Sequence, residues 1–310
     1  MRGALLLLIF ARPHLTARVW EAVRVARPPR LYVGADGPRP DHPGDAAACA
    51  AARGCVAPDW PCEVRTLYRD RNLGCARAVS EAVTWFFQHE QQGIVLEDDM
   101  APMPGFFPFV EALLDRYAAD ERVGLVAGAN FAGAPPGWRA SYLFSAHPHI
   151  WGWGSWARAW AGYDLTMRSW PAERGSRLIE SMTGDRPRAA RHFRRLFDRA
   201  HADPDSGWDA QLCFHLWRRG QLTVLPRHTL VTNIGFGETL SAHGTAAMPA
   251  FQRRAVPREL PLLLTQADPA EGTPHDAVIE RVSLGLTARG EVRRALRPVA
   301  LPLLRAVGLR

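Results

Sequence analysis

Three consecutive acids, Glu97-Asp98-Asp99, close the apolar run Gly93-Ile94-Val95-Leu96. Carboxylates set side by side repel one another, so a cation is their natural partner. Mg²⁺ or Mn²⁺, held by one or two carboxylates plus substrate phosphates, suits such hard oxygen ligands. The competing reading is a solvated acidic turn. Two more acids invite the same question. Asp36 closes the run Leu31-Tyr32-Val33-Gly34-Ala35, where a carboxylate can accept hydrogen bonds from a ribose or base or simply make an Asp-Gly turn. Asp209 follows Trp208 at a helix start, as a base or as a cap.

The elements that must position these groups alternate strand and helix. Ala4–Phe10 is expected as a first buried strand rather than a secretory signal, since Arg12, Pro13 and His14 follow it with no small-residue cleavage site. Pro13 opens a helix with Leu15, Val19, Ala22, Val23 and Ala26 on one face, and Pro28-Pro29 end it. Leu31–Val33 and Glu63–Leu67 are further strands, and residues 38–62 between them an excursion without chemistry. Arg69 to Gly74 lead into a helix from Cys75 to His89, and Gly93 precedes the central strand. That strand needs no alternation if both its faces are covered, as in a parallel sheet. A helix with Phe106, Phe109, Val110, Leu113, Leu114 and Tyr117 inward and a strand at Val123–Ala127 complete the first half. The grammar is βαβ, an α/β fold with a mixed, mostly parallel sheet flanked by helices. It collects Asp36, Arg71 and Glu97–Asp99 at one ligand edge.

At 310 residues, 47% hydrophobic and 22% charged, the chain has an ordinary globular composition. No apolar run approaches the roughly 18–20 residues that span a bilayer. The formal charge is +7, and all 38 basic residues are arginine. The absence of lysine excludes a Schiff-base lysine and a Walker A site. The arginines fit biased base composition, affinity for phosphate-bearing ligands, or an anionic membrane surface. Nucleic acid is not an expected partner. Five cysteines without a CxxC pair argue against a disulfide framework or zinc cluster and for a reducing cytosol. No G-x-G-x-x-G follows the first strand, which disfavours a dinucleotide fold.

Leu8-Ile9-Phe10-Ala11-Arg12-Pro13, Ala35-Asp36-Gly37-Pro38-Arg39, Asn72-Leu73-Gly74 and Leu96-Glu97-Asp98-Asp99, in that order, resemble inverting glycosyltransferases of the GT-A fold. The likeness is to bacterial family-2-like enzymes of surface polysaccharides and to the Golgi N-acetylglucosaminyltransferase I, over roughly residues 4–245. The resemblance implies a nucleoside-diphosphate sugar donor, with uridine favoured, and a glycan or lipid-linked acceptor. It puts Arg12 on the phosphates, Asp36 on the base, Asp98 and Glu97 on ribose and donor sugar, and Asp99 on Mn²⁺ or Mg²⁺. Arg71 and Asn72 belong to the same nucleotide-sugar edge.

The second half adds the run His147-Pro148-His149-Ile150-Trp151-Gly152-Trp153-Gly154-Ser155-Trp156. Tryptophan faces stack on sugars and glycines admit close backbone approach, so Trp153 is expected at the donor sugar; the alternative is an aromatic core corner. His147 and His149 read as structural. Residues 173–202 read as a basic helical stretch, a solvated face or a contact for a phosphorylated acceptor or membrane. The resemblance makes Asp209 the general base; the Golgi enzyme carries two acids after its tryptophan, where here Ala210 follows. Strands at Leu222–Leu225 and Thr229–Thr232 lead to a glycine-rich loop and His243, a candidate metal ligand. Leu260–Leu264 receives no role, and Arg289–Arg310 reads as amphipathic, docked on the core or lying on a membrane.

The expected organisation is a GT-A domain over 1–248 (nucleotide half 1–130, acceptor half 131–248) and an extension over 249–310. The expected protein is a metal-dependent, inverting glycosyltransferase, cytoplasmic, with peripheral contact to the inner face of the membrane. The alternatives are an inactive binding scaffold of the same fold and a nucleotidyltransferase, which the missing lysine disfavours.

Overall fold

The computed structural model describes residues 1–237, 248–255, 257–258, 260, 264–265, 267–268, 273 and 275–287. His243 and the segment Arg289–Arg310 lie outside the described residues. The elements run β1 (Ala4–Ile9), α1 (Pro13–Ala26), β2 (Arg30–Ala35), α2 (Asp45–Gly54), β3 (Glu63–Tyr68), α3 (Cys75–His89), β4 (Gln92–Glu97), β5 (Met100–Pro102), α4 (Phe106–Arg116) and β6 (Val123–Ala127). They continue as β7 (Tyr142–Ser145), β8 (Trp153–Trp156), α5 (Ala157–Trp160), α6 (Trp170–Glu173), α7 (Leu178–Met182), α8 (Pro187–Ala202), α9 (Asp209–Arg218), β9 (Leu222–Pro226), β10 (Val231–Asn233), α10 (Ala250–Arg254) and α11 (Asp276–Ser283).

Eight strands form one sheet in the order β3-β2-β1-β4-β8-β6-β9-β7. β1 pairs in parallel with β2 and β4, β2 with β3 and β6 with β9, while β8 and β7 run against their neighbours. The expected fold class, a mixed and mostly parallel sheet flanked by helices, is the one observed. β1 is buried at every position, as a central strand covered on both faces must be. Successive residues point to opposite faces. Leu5, Leu7 and Ile9 therefore join the layer with α1 and α4, and Leu6 and Leu8 the layer with α3.

Close packing explains the glycine that opens the central strand. A Cβ on Gly93 would stand 2.3 Å from the Phe86 ring of α3, which lies flat across that point of the sheet. Phe86 also meets the Tyr32 ring edge-on at 5.0 Å.

Two expectations are corrected and a third holds. The excursion over 38–62 contains α2, whose Arg53 donates to the backbone carbonyls of Asp36 and Arg69 and so braces the ligand edge. The basic stretch over 173–202 is helical as expected, its helices being α7 and α8 with a break at Gly184. The strand expected at Thr229–Thr232 is β10, which pairs antiparallel with β5 just beyond the acids, Asn233 opposite Met100. Among the described residues no helix is long and apolar enough to cross a membrane.

Phe86 is fully buried. Phe86→Ala is expected to cost about 3–5 kcal/mol through lost burial and the cavity left against Gly93, read as a shift in the urea midpoint.

Candidate active site

Register places the chemistry. Ile9 stands opposite Ala35 and Leu8 opposite Glu97, so β1, β2 and β4 end together, and Arg12, Asp36 and Glu97–Asp99 all emerge at one edge. β8 runs the other way, with Trp153 opposite Val95 and Ala127, so the segment His147–Trp151 enters the sheet at that same edge. Between them lies a cleft of about 830 Å³.

At its floor Arg12, at the start of α1, donates from Nη2 to Asp98 and from Nη1 to Asp99 Oδ2 at 2.9 Å. Asp98 also accepts from the Phe10 amide at 3.2 Å. All three side chains are nearly inaccessible. Burial opposes charge on Arg12 and on Asp98, and each offsets part of that cost for the other. For Arg12 burial lowers proton affinity, but the fields of Asp98 and Asp99 more than reverse this and hold it firmly charged. Burial leaves Asp98 above the usual carboxylate range despite its guanidinium partner. Among the described residues Glu97 makes no such ion pair, and only the more distant field of Arg12 eases its charge. Burial first, then the charges of Asp99 and Asp98, push it up to about 8, so it holds a proton at neutral pH and can donate a hydrogen bond.

Asp99 presents its second oxygen differently. Oδ1 is buried with no hydrogen-bond partner. The strand beside it is locked in place: the Ile234 amide donates to the Asp99 carbonyl at 2.8 Å, and a Cβ on Gly235 would lie 2.5 Å from Asp99 Oδ2. Asn233, 1% exposed, accepts from the Gly235 amide at 2.8 Å through Oδ1, while its Nδ2 is buried and unpartnered. Among the described residues there is no group of three or more His, Cys, Asp or Glu able to hold a metal by themselves. An orphaned carboxylate oxygen does suit an ion that takes its remaining ligands from a diphosphate.

Asp36 lies at the edge but is already occupied. It accepts from the Gly37 and Leu73 amides and from Asn72 Nδ2, each at 2.9 Å. Asn72 in turn accepts from Gly74 at 3.2 Å. Together they tie the end of β2 to the loop before α3, and a Cβ on Gly37 would meet the Arg71 backbone at 2.4 Å. The Arg71 side chain is exposed and is not part of the cleft wall, which Arg39 and Arg69 form there. Arg39 closes the motif Ala35–Arg39, where the resemblance gives it no role; Asp45 of α2 holds it, and Arg69 pairs with Glu81.

Trp153 is placed elsewhere than expected. It is 1% exposed, inside the core, with Trp160 stacked at 6.2 Å and Trp208 at 6.0 Å. Gly152, with φ of 59°, turns the chain so that Trp151 faces the cleft and Trp153 the opposite layer. Trp151 joins Phe131, Phe236 and Phe251 from three other segments in an aromatic cluster that local sequence does not reveal. His147 and His149 are structural, as expected: His147 Nε2 meets Glu280 at 3.1 Å, and His149 Nδ1 meets the Ala129 carbonyl at 3.1 Å.

Asp209 is the first residue of α9, yet no side-chain hydrogen bond caps that helix, and the carboxylate is exposed on the cleft wall. Its position is set from below. Trp208 is buried against Trp153, and Tyr163 donates to the Trp208 carbonyl at 3.1 Å. Asp209 is within electrostatic reach of the acids, since its charge contributes to the raised proton affinity of Glu97. The Cys75 thiol feels Glu97, Asp209 and Asp99 together; burial first and then these charges push it up to about 12. The cleft thus holds a desolvated acid cluster with its own counter-ion and, on its wall, one exposed carboxylate.

No protein-family model matches the chain, and no curated protein sequence does. Among solved structures, the chain is similar to the apo form of mouse xyloside xylosyltransferase 1, at 10% identity and a TM-score of 0.34, over 69% of this chain and 80% of that one. A likeness of this depth bears on neither activity nor substrate, and the functional reading rests on the site's own geometry.

Arg12→Ala leaves two buried carboxylates without their cation and is expected to cost about 3–5 kcal/mol in urea unfolding. A second expectation concerns His149, which burial holds down at about 4. Its folded value lies below its unfolded one, so the stability due to the neutral ring is complete above about pH 6.5 and is lost as pH falls toward 4. In His149→Gln, the decline in unfolding free energy between pH 7 and 4.5 should be smaller than in the native chain by about 2–3 kcal/mol.

Proposed function

We propose that this chain is an inverting glycosyltransferase that moves a sugar from a nucleoside-diphosphate donor, UDP-linked by preference, to a hydroxyl acceptor in surface-polysaccharide or glycolipid synthesis. The observation that carries this is the pairing of two unlike acid sites in one cleft: Asp98 and Asp99 buried on Arg12, and Asp209 exposed on the facing helix. The first suits a charged leaving group at the strand edge; the second suits a proton acceptor.

In this reading the nucleotide lies over the ends of β1, β2 and β4, with Arg39 and Arg69 at its rim and the clamp of Asp36 and Asn72 shaping the loop it meets. Arg12 serves chiefly as counter-ion to Asp98 and Asp99, because both its terminal nitrogens are engaged there. A divalent ion fits at Asp99 Oδ1, the one oxygen of the acid pair that is buried and unpartnered. When bound, such an ion supplies positive charge opposite the departing diphosphate. Glu97, protonated, offers a hydrogen bond to a ribose or sugar oxygen.

Asp209 takes the proton of the acceptor hydroxyl while that oxygen attacks the anomeric carbon. The bond from that carbon to the diphosphate oxygen breaks on the opposite face, its electron pair leaves with the nucleoside diphosphate, and the configuration inverts. The Asp209 carboxylate is exposed on the cleft wall, where an acceptor hydroxyl can reach it. Trp153, Trp208 and Tyr163 hold its helix at the right height, acting through Asp209 rather than on the sugar.

Calorimetric titration of UDP and GDP, with and without Mn²⁺, is the direct test. Metal-dependent binding of one nucleotide, lost in Asp99→Ala, is expected. With a panel of sugars on that nucleotide, Asp209→Asn should lower transfer about 10²–10⁴-fold with nucleotide binding unchanged. Failure of the native chain to bind either nucleotide with Mn²⁺ would sink this reading.

A further inference from the structure

The cleft does not end at Asp209. It continues between α8, α9 and α11, where Ile150, Phe193, Leu196, Ala210, Ile279 and Leu284 line it. Ile150, Leu196 and Leu284 are half-buried. The wall opposite α8 is built with care. α11 comes from far along the chain and is fastened by buried carboxylates. Asp276 accepts from Ser145 Oγ at 2.6 Å and the Ala146 amide at 3.0 Å, and Glu280 accepts from Arg186 at 2.8 and 2.7 Å.

The polar inventory of this chamber is short. His147 gives its Nε2 to Glu280, which leaves its Nδ1 and the Ser283 hydroxyl as buried polar atoms without a partner. A sugar ring brings a hydroxyl on nearly every carbon, and each one desolvated without a partner costs binding free energy. Among the described residues between α8, α9 and α11, these two polar atoms stand against six apolar side chains and cannot satisfy such a ring, the other polar groups of the cleft (Ser206, His149, Asn233, Gln252) lying on other segments. The two suit a hydrocarbon body carrying one or two polar atoms near the accepting oxygen.

We propose that this chamber receives the apolar body of the acceptor, an alkyl, prenyl or aryl group attached close to the hydroxyl that Asp209 deprotonates. The inference rests on the transferase reading and adds to it the acceptor class: an amphipathic molecule rather than a free glycan. It also gives the segment beyond residue 249 a role, since α11 supplies Ile279 and its flank Leu284 to the wall.

The test is calorimetric titration of methyl, phenyl and octyl β-D-glucopyranoside, the last below its micellar concentration, on the full chain. An apolar aglycone should raise affinity about ten-fold or more over methyl, as burial of several methylenes implies. Octyl ahead of phenyl assigns a chain and the reverse assigns an aryl group. Leu196→Ser and Leu284→Ser, both at half-buried positions, should each remove most of that advantage with the thermal midpoint little changed, while Val25→Ser on the exposed far face should not. Equal affinities, or an advantage that survives both chamber variants, would overturn the inference. A UDP titration with Mn²⁺ runs alongside. Nucleotide binding without aglycone preference overturns the chamber's role alone; preference without nucleotide binding removes the transferase reading, and the acceptor assignment with it.

Discussion

Two carboxylates and a guanidinium, all desolvated, meet where three parallel strands end. Burial raises the proton affinity of Asp98, and the Arg12 guanidinium beside it opposes that rise. Much of the surrounding structure keeps the three in contact. β1 and β4 must pair in parallel so that Phe10 and Arg12 reach the acids. Gly235 must lack a side chain so that the strand after β10 can close over Asp99. In this arrangement Asp99 Oδ1 is buried without a hydrogen-bond partner.

The second constraint is the antiparallel strand β8, set between β4 and β6. Reversing direction in mid-sheet lets a segment from the second half of the chain enter at the ligand edge rather than leave from it. That segment carries Trp151 to the cleft and Trp153 into the layer beneath α9, so one short stretch both lines the site and supports the helix that presents Asp209. Glycines at 152 and 154 make this fit: a Cβ on Gly154 would lie 2.4 Å from Val110. The density of tryptophan and glycine thus reports packing at a strand crossing as much as contact with a sugar.

Much of this was legible from residue order. Hydrophobic runs bounded by Pro, Gly and acids marked β1, α1, β2, α3, β4 and α4, because strand burial and helix periodicity are local properties of the chain. The acids at the end of β4 were legible for the same reason: a strand of a parallel sheet exposes only its ends. The Arg71 side chain pointing outward, with Arg39 and Arg69 at the wall instead, was not legible. Which of several neighbouring arginines lines the wall depends on partners that folding supplies, Asp45 for Arg39 and Glu81 for Arg69. The aromatic cluster of Phe131, Trp151, Phe236 and Phe251 was likewise hidden, since its members come from four segments with nothing in common locally.

The sequence by itself determined that this is an α/β chain, which strand would hold the acids, and that lysine chemistry has no part in it. Those properties follow from residue type and period alone. Tertiary structure decided which carboxylates are buried and which is solvated. Asp98 and Asp99 lie under Gly235 and against Arg12, Glu97 is left without a counter-ion, and Asp209 stands open on the far wall. In the unfolded chain these four acids differ little in proton affinity. Only the desolvation and the fields imposed by distant segments raise the proton affinity of Glu97 and Asp98 above that of a free carboxylate.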